Sequence, residues 1–204
     1  MSPFRVAKKL WPRRRQIILA SGSPRRKELL ELTGLKFVVE PPDINESMND
    51  KETPKEHVER LAQAKAASIA KEHPDAIILA CDTCVILNGR IVFGKPENKK
   101  DAKEMLEQLA GKEHTVASAV AIIWLKKNRQ HIVTVETKVR MKQLEDWEIQ
   151  WYLASGEPLD KAGAYAIQGR GSIFIEGIIG SYTNVVGLPL MESVLLLRSF
   201  GIKL

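Results

Sequence analysis

The apolar run Ile17 to Ala20 reads as a buried strand. Ser23-Pro24 then supplies an N-cap with proline at the first helical position, and Leu29, Leu30 and Leu32 carry that helix to Gly34. Phe37 to Val39 reads as a short second strand. The polar, proline-containing stretch 41–53 is a loop. Thr53-Pro54-Lys55-Glu56 has the form of a capping box, and it opens a helix whose Val58, Leu61, Ala62, Lys65 and Ala66 recur at helical spacing. His73-Pro74 should end it.

Ala76 to Cys81 is apolar enough for a central strand, and Val85 to Leu87 with Ile91 to Phe93 flank an Asn88-Gly89 hairpin signal. A helix follows from about Asn98 to Gly111. Val116 to Leu125 and Ile132 to Val139 read as a longer antiparallel pair around Lys127-Asn128. Glu145 to Ala154 is helical, Asp160 to Ile179 is strand and glycine-rich turn, and Leu190 to Phe200 is an amphipathic helix. Strands and helices mix throughout, so the class is α/β with a mixed sheet. No internal repeat or low-complexity segment interrupts it.

Length and composition fit one buried core: 204 residues, 44% hydrophobic and 27% charged. The net charge of +6 is local. Arg5, Lys8, Lys9, Arg13, Arg14 and Arg15 lie within residues 1–16 with no acid, so these six of 31 bases account for the whole excess over 25 acids. Residues 1–16 therefore read as a basic extension and 17–204 as a single domain. With Phe4, Val6, Leu10 and Trp11 among its bases, the extension could meet an anionic membrane or RNA, or simply precede the fold. The neutral body argues against a stable nucleic-acid partner. No apolar run reaches the length of a membrane span, and Ile17 to Ala20 is too short for the core of a signal peptide. Two cysteines are too few for a disulfide scaffold and suit a reducing cytoplasm.

Four segments carry candidate chemistry. Ser21-Gly22-Ser23-Pro24-Arg25-Arg26 joins a strand to a helix start, where free backbone N–H groups, hydroxyls and two guanidinium forks suit phosphate oxygens. The plain alternative is a capping serine beside solvated arginines. In Ala80-Cys81-Asp82-Thr83-Cys84, a carboxylate where an apolar strand leaves the core suits a metal ligand or general base. A structural aspartate in a turn would look the same. The two cysteines read as buried structural thiols, since zinc wants four ligands and the histidines at 57, 73, 114 and 131 are scattered.

Gly89-Arg90-Ile91-Val92-Phe93-Gly94-Lys95-Pro96 superficially looks like a P-loop, but Pro96 occupies the position of the magnesium-binding hydroxyl. Lys95 can still offer one cation to phosphate or to solvent. In Gly156-Glu157-Pro158-Leu159-Asp160-Lys161-Ala162-Gly163-Ala164-Tyr165-Ala166-Ile167-Gln168-Gly169, the Gln168 amide can read a base or satisfy backbone in a long turn.

Taken in order, SGSPRR at 21–26, CDT at 81–83, GKP at 94–96, GEPLDKAGAYAIQG at 156–169 and GSYTNVVGLPL at 180–190 resemble the Maf family of nucleotide pyrophosphatases from residue 17 to about 202. The resemblance implies an elongated, inosine-triphosphatase-like α/β fold with a mixed sheet, flanking helices and a cleft between two lobes. It implies hydrolysis of a nucleoside triphosphate to monophosphate and pyrophosphate with Mg²⁺, Mn²⁺ or Co²⁺, and a homodimer. By position, Asp82 matches the family's catalytic base and metal-side carboxylate, and Glu46 matches its other acid. Lys65 and Lys95 match phosphate-side lysines, with Ser21, Ser23 and Arg26 in the phosphate loop. Arg25, Thr83 and Gln168 match positions tied to substrate choice, and all three are like the branch acting on dTTP and UTP. A 7-methyl-GTP branch typically has an aromatic residue for this arginine and an acid for this glutamine. Cys81, Cys84 and Ala166 depart from the usual pattern without moving these residues out of register. A non-catalytic regulator of septum formation is the remaining family-level alternative.

Overall fold

The computed structural model describes residues 16–204, so the basic extension expected over 1–16 lies outside the described residues apart from Gln16. Among these residues, seven strands form one mixed sheet: β1 (Ile17–Ala20), β2 (Val38–Val39), β3 (Ile77–Leu87), β4 (Ile91–Phe93), β5 (Glu113–Trp124), β6 (Arg129–Met141) and β7 (Ile175–Ile179). Their order is β2-β1-β3-β5-β6-β7, with β4 also on β3. The pairs of β1 with β2 and with β3 are parallel, and the others are antiparallel. Among the described residues, six helices flank the sheet: α1 (Pro24–Glu31), α2 (Pro54–Glu72), α3 (Lys99–Leu109), α4 (Asp146–Ala154), α5 (Tyr182–Val186) and α6 (Leu190–Ser199).

Local chemistry explains most boundaries. Thr53 and Glu56 cap α2 reciprocally, with Pro54 at the first turn. Asn98 caps α3 through the N–H groups of Lys100 and Asp101. Asn88 and Gly89 adopt φ of 53° and 72°, and Arg90 N–H donates to Leu87 C=O at 3.2 Å, closing the hairpin where the dipeptide predicts it. α1 stops at Glu31, earlier than the leucine spacing suggests, because two tight turns lead from Leu30 to left-handed Gly34.

Two expectations need correction. The strands expected at 76–81 and 85–87 are one eleven-residue strand, so Asp82 sits in its middle and not where it leaves the core. The stretch 160–179 holds mainly short 3-10 turns, and only its last five residues are strand. Left-handed glycines at 163 and 169 bend that chain too sharply for a strand.

The core has three parts. On one sheet face, Val58, Ala62, Ala66 and Ile69 of α2 cover Ile78, Ala80, Ala117 and Ala119; the small side chains let the helix approach closely. The other face carries two clusters. One packs α1 and α6 on Leu19, Leu79, Cys81 and Val120. The second packs α3 and α4 on Val85, Leu87, Val116 and Val139. Between them on that face, Thr83 of β3 faces Ser118 of β5 with hydroxyl oxygens 2.8 Å apart. This polar seam divides the apolar face into two lobes.

Candidate active site

A gap in strand pairing creates the site. β3 is paired to β5 along residues 78–86. Its other edge meets β1 only at 77–80 and β4 only at 85–87. Residues 81–84 are left open on that edge, and a cavity of about 720 Å³ opens there, within the roughly 300–1,000 Å³ of small-molecule sites. Alternation along β3 then turns Asp82 toward the α2 face and Thr83 toward the seam. Both line the cavity.

On the Asp82 side, α2 presents His57, Leu61 and Lys65 to the cavity at successive four-residue steps. Lys65 Nζ donates to Asp82 Oδ1 at 2.6 Å and lies 2.9 Å from Glu46 Oε1. The Lys65 and Asp82 side chains are 6% and 8% exposed, whereas Glu46, carried in by the 41–53 loop, is 57% exposed. Two carboxylates therefore converge on one ammonium at the cavity wall.

The β1–α1 turn lines the cavity as well. Ser23 occupies the N-cap of α1 but makes no side-chain cap, and its N–H donates to Ser21 Oγ at 3.2 Å. Arg26 is committed within the protein: Nε donates to Gly187 C=O at 2.8 Å, and its terminal nitrogens reach Thr83 Oγ1 at 3.1 Å and Ser21 Oγ at 3.5 Å. It fixes the β1–α1 turn to the seam. Arg25 donates to the side chain of Asp160 at 2.9 Å and to its backbone carbonyl at 3.1 Å. Lys95 and Gln168 also line the cavity. Every residue singled out from the sequence, Ser21, Ser23, Arg25, Arg26, Glu46, Lys65, Asp82, Thr83, Lys95 and Gln168, borders this one cavity.

The Lys95 and Gln168 segments are held by hydrogen bonds to Gly94 C=O and to the half-buried Glu157 carboxylate. Gly163, with φ of 68°, donates its N–H to Gly94 C=O at 3.0 Å and joins the Gln168 segment to the Lys95 turn. Burial works to raise the Glu157 pKa, but hydrogen bonds from Arg170 N–H, Gly171 N–H and Tyr152 hydroxyl outweigh it and hold the carboxyl below its ordinary range. Beneath the cavity, Tyr165 hydroxyl meets His114 Nε2 at 2.7 Å.

Cys81 and Cys84 belong to clusters on opposite sheet faces, so they cannot share a zinc ion or a disulfide. Burial raises both thiol pKa values, that of Cys84 to about 12. Sequence reasoning missed Asp160 as the partner of Arg25, and it missed Glu52, His57 and Arg60 beside Glu46. Asp160 is 135 positions from Arg25, beyond any local pattern. Glu52 and Arg60 straddle the capping box, and that acid–base pair was the available signal.

A family model described as Maf-like protein matches residues 16–200. The chain is 48% identical over 186 residues to a dTTP/UTP pyrophosphatase of Syntrophus aciditrophicus, covering 91% of this chain and 90% of that protein. It is 46% identical over 187 residues to one of Pelotomaculum thermopropionicum, covering 92% and 97%. A third, from Bacillus anthracis, is 48% identical over 188 residues, covering 92% and 97%. Among solved structures, a HAM1 protein from Coxiella burnetii superposes with a TM-score of 0.50 at 18% identity, covering 91% of this chain and 99% of that one. The Staphylococcus aureus Ham1 protein gives 0.55 at 12%, covering 91% and 97%. At such identities the likeness concerns the fold alone, a mixed α/β architecture shared with these HAM1 proteins.

Proposed function

The chain belongs to the Maf family, and from that premise we propose that it hydrolyses nucleoside triphosphates, dTTP and UTP foremost, to the monophosphate and pyrophosphate. The observation that carries this reading is the convergence of Glu46 and Asp82 on Lys65 at the open edge of β3, in the same cavity as the Ser21–Arg26 turn, Lys95 and Gln168. Acid and base groups meet there around a space of nucleotide size.

Asp82 takes the proton of a water whose oxygen attacks the α-phosphorus, and the bond from that phosphorus to the bridging oxygen of the β-phosphate breaks, releasing pyrophosphate. Lys65 holds Asp82 in place and offers positive charge to the phosphates. The Ser23 hydroxyl, the first turn of α1 and Lys95 receive the triphosphate oxygens. Arg26 keeps the β1–α1 turn in register with Thr83.

Glu46 and Asp82 also fit a divalent cation of the Mg²⁺, Mn²⁺ or Co²⁺ kind. Both are hard oxygen donors at the cavity wall, and two protein carboxylates leave ligand positions for phosphate oxygens, as such ions prefer. Bound there, the cation would supply charge neutralisation and a more acidic water. Gln168 and Thr83 line the same cavity and are the residues we assign to base recognition, with Arg25 held by Asp160.

The test is release of pyrophosphate over a panel of canonical, modified-pyrimidine and 7-methyl-GTP substrates, with and without metal. Preferential turnover of dTTP and UTP supports the proposal; nucleotide binding with no pyrophosphate release overturns it and favours a regulator. A cytoplasmic homodimer completes the proposal. β7 is an edge strand with Ile179 exposed, and no described helix is long and apolar enough to cross a membrane. Sedimentation at micromolar concentration checks the assembly.

A further inference from the structure

The hydrolytic step leaves the Glu52–Arg60 ion pair without a task. The Glu52 side chain is only 8% exposed, and Arg60 grips both of its oxygens: Nε to Oε1 at 2.6 Å and Nη2 to Oε2 at 2.9 Å. Glu52 Oε2 also accepts the Asn49 N–H at 3.0 Å and faces His57 Nδ1 at 3.3 Å. Paired oxygens on a planar fork set direction as well as distance.

The same Arg60 Nη2 donates to Ser47 C=O at 3.0 Å. Ser47 follows Glu46 directly, and its own N–H and hydroxyl both turn onto Asn45 Oδ1. Glu46 thus sits inside a small turn whose trailing carbonyl is tied to α2. The loop over 41–53 contains no helix or strand and is mostly exposed, so it has little packing of its own to place a carboxylate. Arg60 stands five residues before Lys65 on α2, so the element that pins the loop is the element that presents the ammonium to Glu46 and Asp82.

We propose that Arg60 and Glu52 are positioning residues of the hydrolytic site, locking the 41–53 loop so that the Glu46 carboxylate stands beside Asp82. The proposal rests on the pyrophosphatase reading, and its test separates the two. Arg60→Lys keeps the charge but cannot span Glu52 and Ser47 together. Arg60→Ala and Glu52→Gln weaken the grip from either end. Each lowers kcat by about 10- to 100-fold, the range seen when a supporting shell is lost, while KM for the nucleotide moves less than about threefold. Backbone exchange over 45–52 accelerates, and that of β3 stays slow. Arg60→Ala added to Glu46→Gln costs little beyond Glu46→Gln alone, because both remove one function.

A wild-type chain that releases no pyrophosphate removes the hydrolase reading and this proposal together. Wild-type turnover combined with additive effects of Arg60→Ala and Glu46→Gln, or with unchanged kcat and unchanged exchange in Arg60→Lys and Glu52→Gln, overturns the positioning role alone. If Arg60→Ala fails to fold, Arg60→Lys and Glu52→Gln decide it through the same measurements.

Discussion

Lys65 Nζ lies 2.6 Å from Asp82 Oδ1, and the two side chains sit almost entirely out of solvent although both border the cavity. Such a pair is held by mutual compensation, and removing one member leaves the other charge stranded. Asp82→Asn keeps the volume and an oxygen acceptor for Lys65 but loses the base. Turnover should fall by at least about 10²- to 10⁴-fold, the usual worth of a positioned proton acceptor, with nucleotide affinity little changed. Parallel measurement of kcat and nucleotide binding checks this; activity near wild type would remove Asp82 from the chemistry.

Gln168 lines the cavity with an amide that both donates and accepts. Gln168→Glu makes the group acceptor-only and adds negative charge. The order of preference among dTTP, UTP, CTP and 7-methyl-GTP should change more than the summed activity does. An unaltered order in competition assays would move base recognition to another wall of the cavity.

Gly163 combines a left-handed backbone with a crowded side. A Cβ there would come within 3.0 Å of Val85 Cγ2, on top of the cost of φ at 68° for an L-residue. Gly163→Ala should destabilise the fold by about 1–3 kcal/mol and loosen the link between Gly94 and the Gln168 segment. Urea unfolding gives the first number. Restoring space with Val85→Ala should recover only part of it, since the backbone strain persists.

His114 is buried beside Tyr165, and burial lowers its pKa from 6.5 to about 4. The unfolded chain therefore binds its proton more readily than the folded one. The contribution to stability is complete above pH 6.5 and is lost as pH falls toward about 4. Unfolding free energy measured across that window should decline by up to one proton's worth of slope from this residue. His114→Gln should flatten that part of the profile; an identical slope in the variant would place the titration elsewhere.

Much of the fold was legible locally. The capping box at Thr53 and Glu56, the left-handed Asn88-Gly89 turn and the four-residue spacing along α2 each specify structure within a few residues. Asp160 to Ile179 was less legible, because its hydrogen bonds run to distant groups such as Gly94 C=O and to the Glu157 carboxylate. The site residues could be named one by one from motifs, and they do border one cavity. Their partners could not be named: Arg25 reads as a free fork for phosphate, yet Asp160 holds it.

The sequence alone determined most of the helices and strands outside 160–179 and which side chains offer charge, because caps, turns and periodicity act over one to four residues. It put Asp82 at the end of a strand, and only the continuous β3 of the fold sets Asp82 and Thr83 on opposite strand faces. Only the tertiary structure decided that β1 pairs with β3 no further than Ala80 and that β4 begins its pairing at Val85, leaving the 81–84 edge open between them. Strand order and register arise from contacts between distant segments, and a hydrophobic pattern states which face is buried but not which neighbour covers an edge. That uncovered edge is where Lys65, Glu46 and the phosphate turn are brought to bear on Asp82.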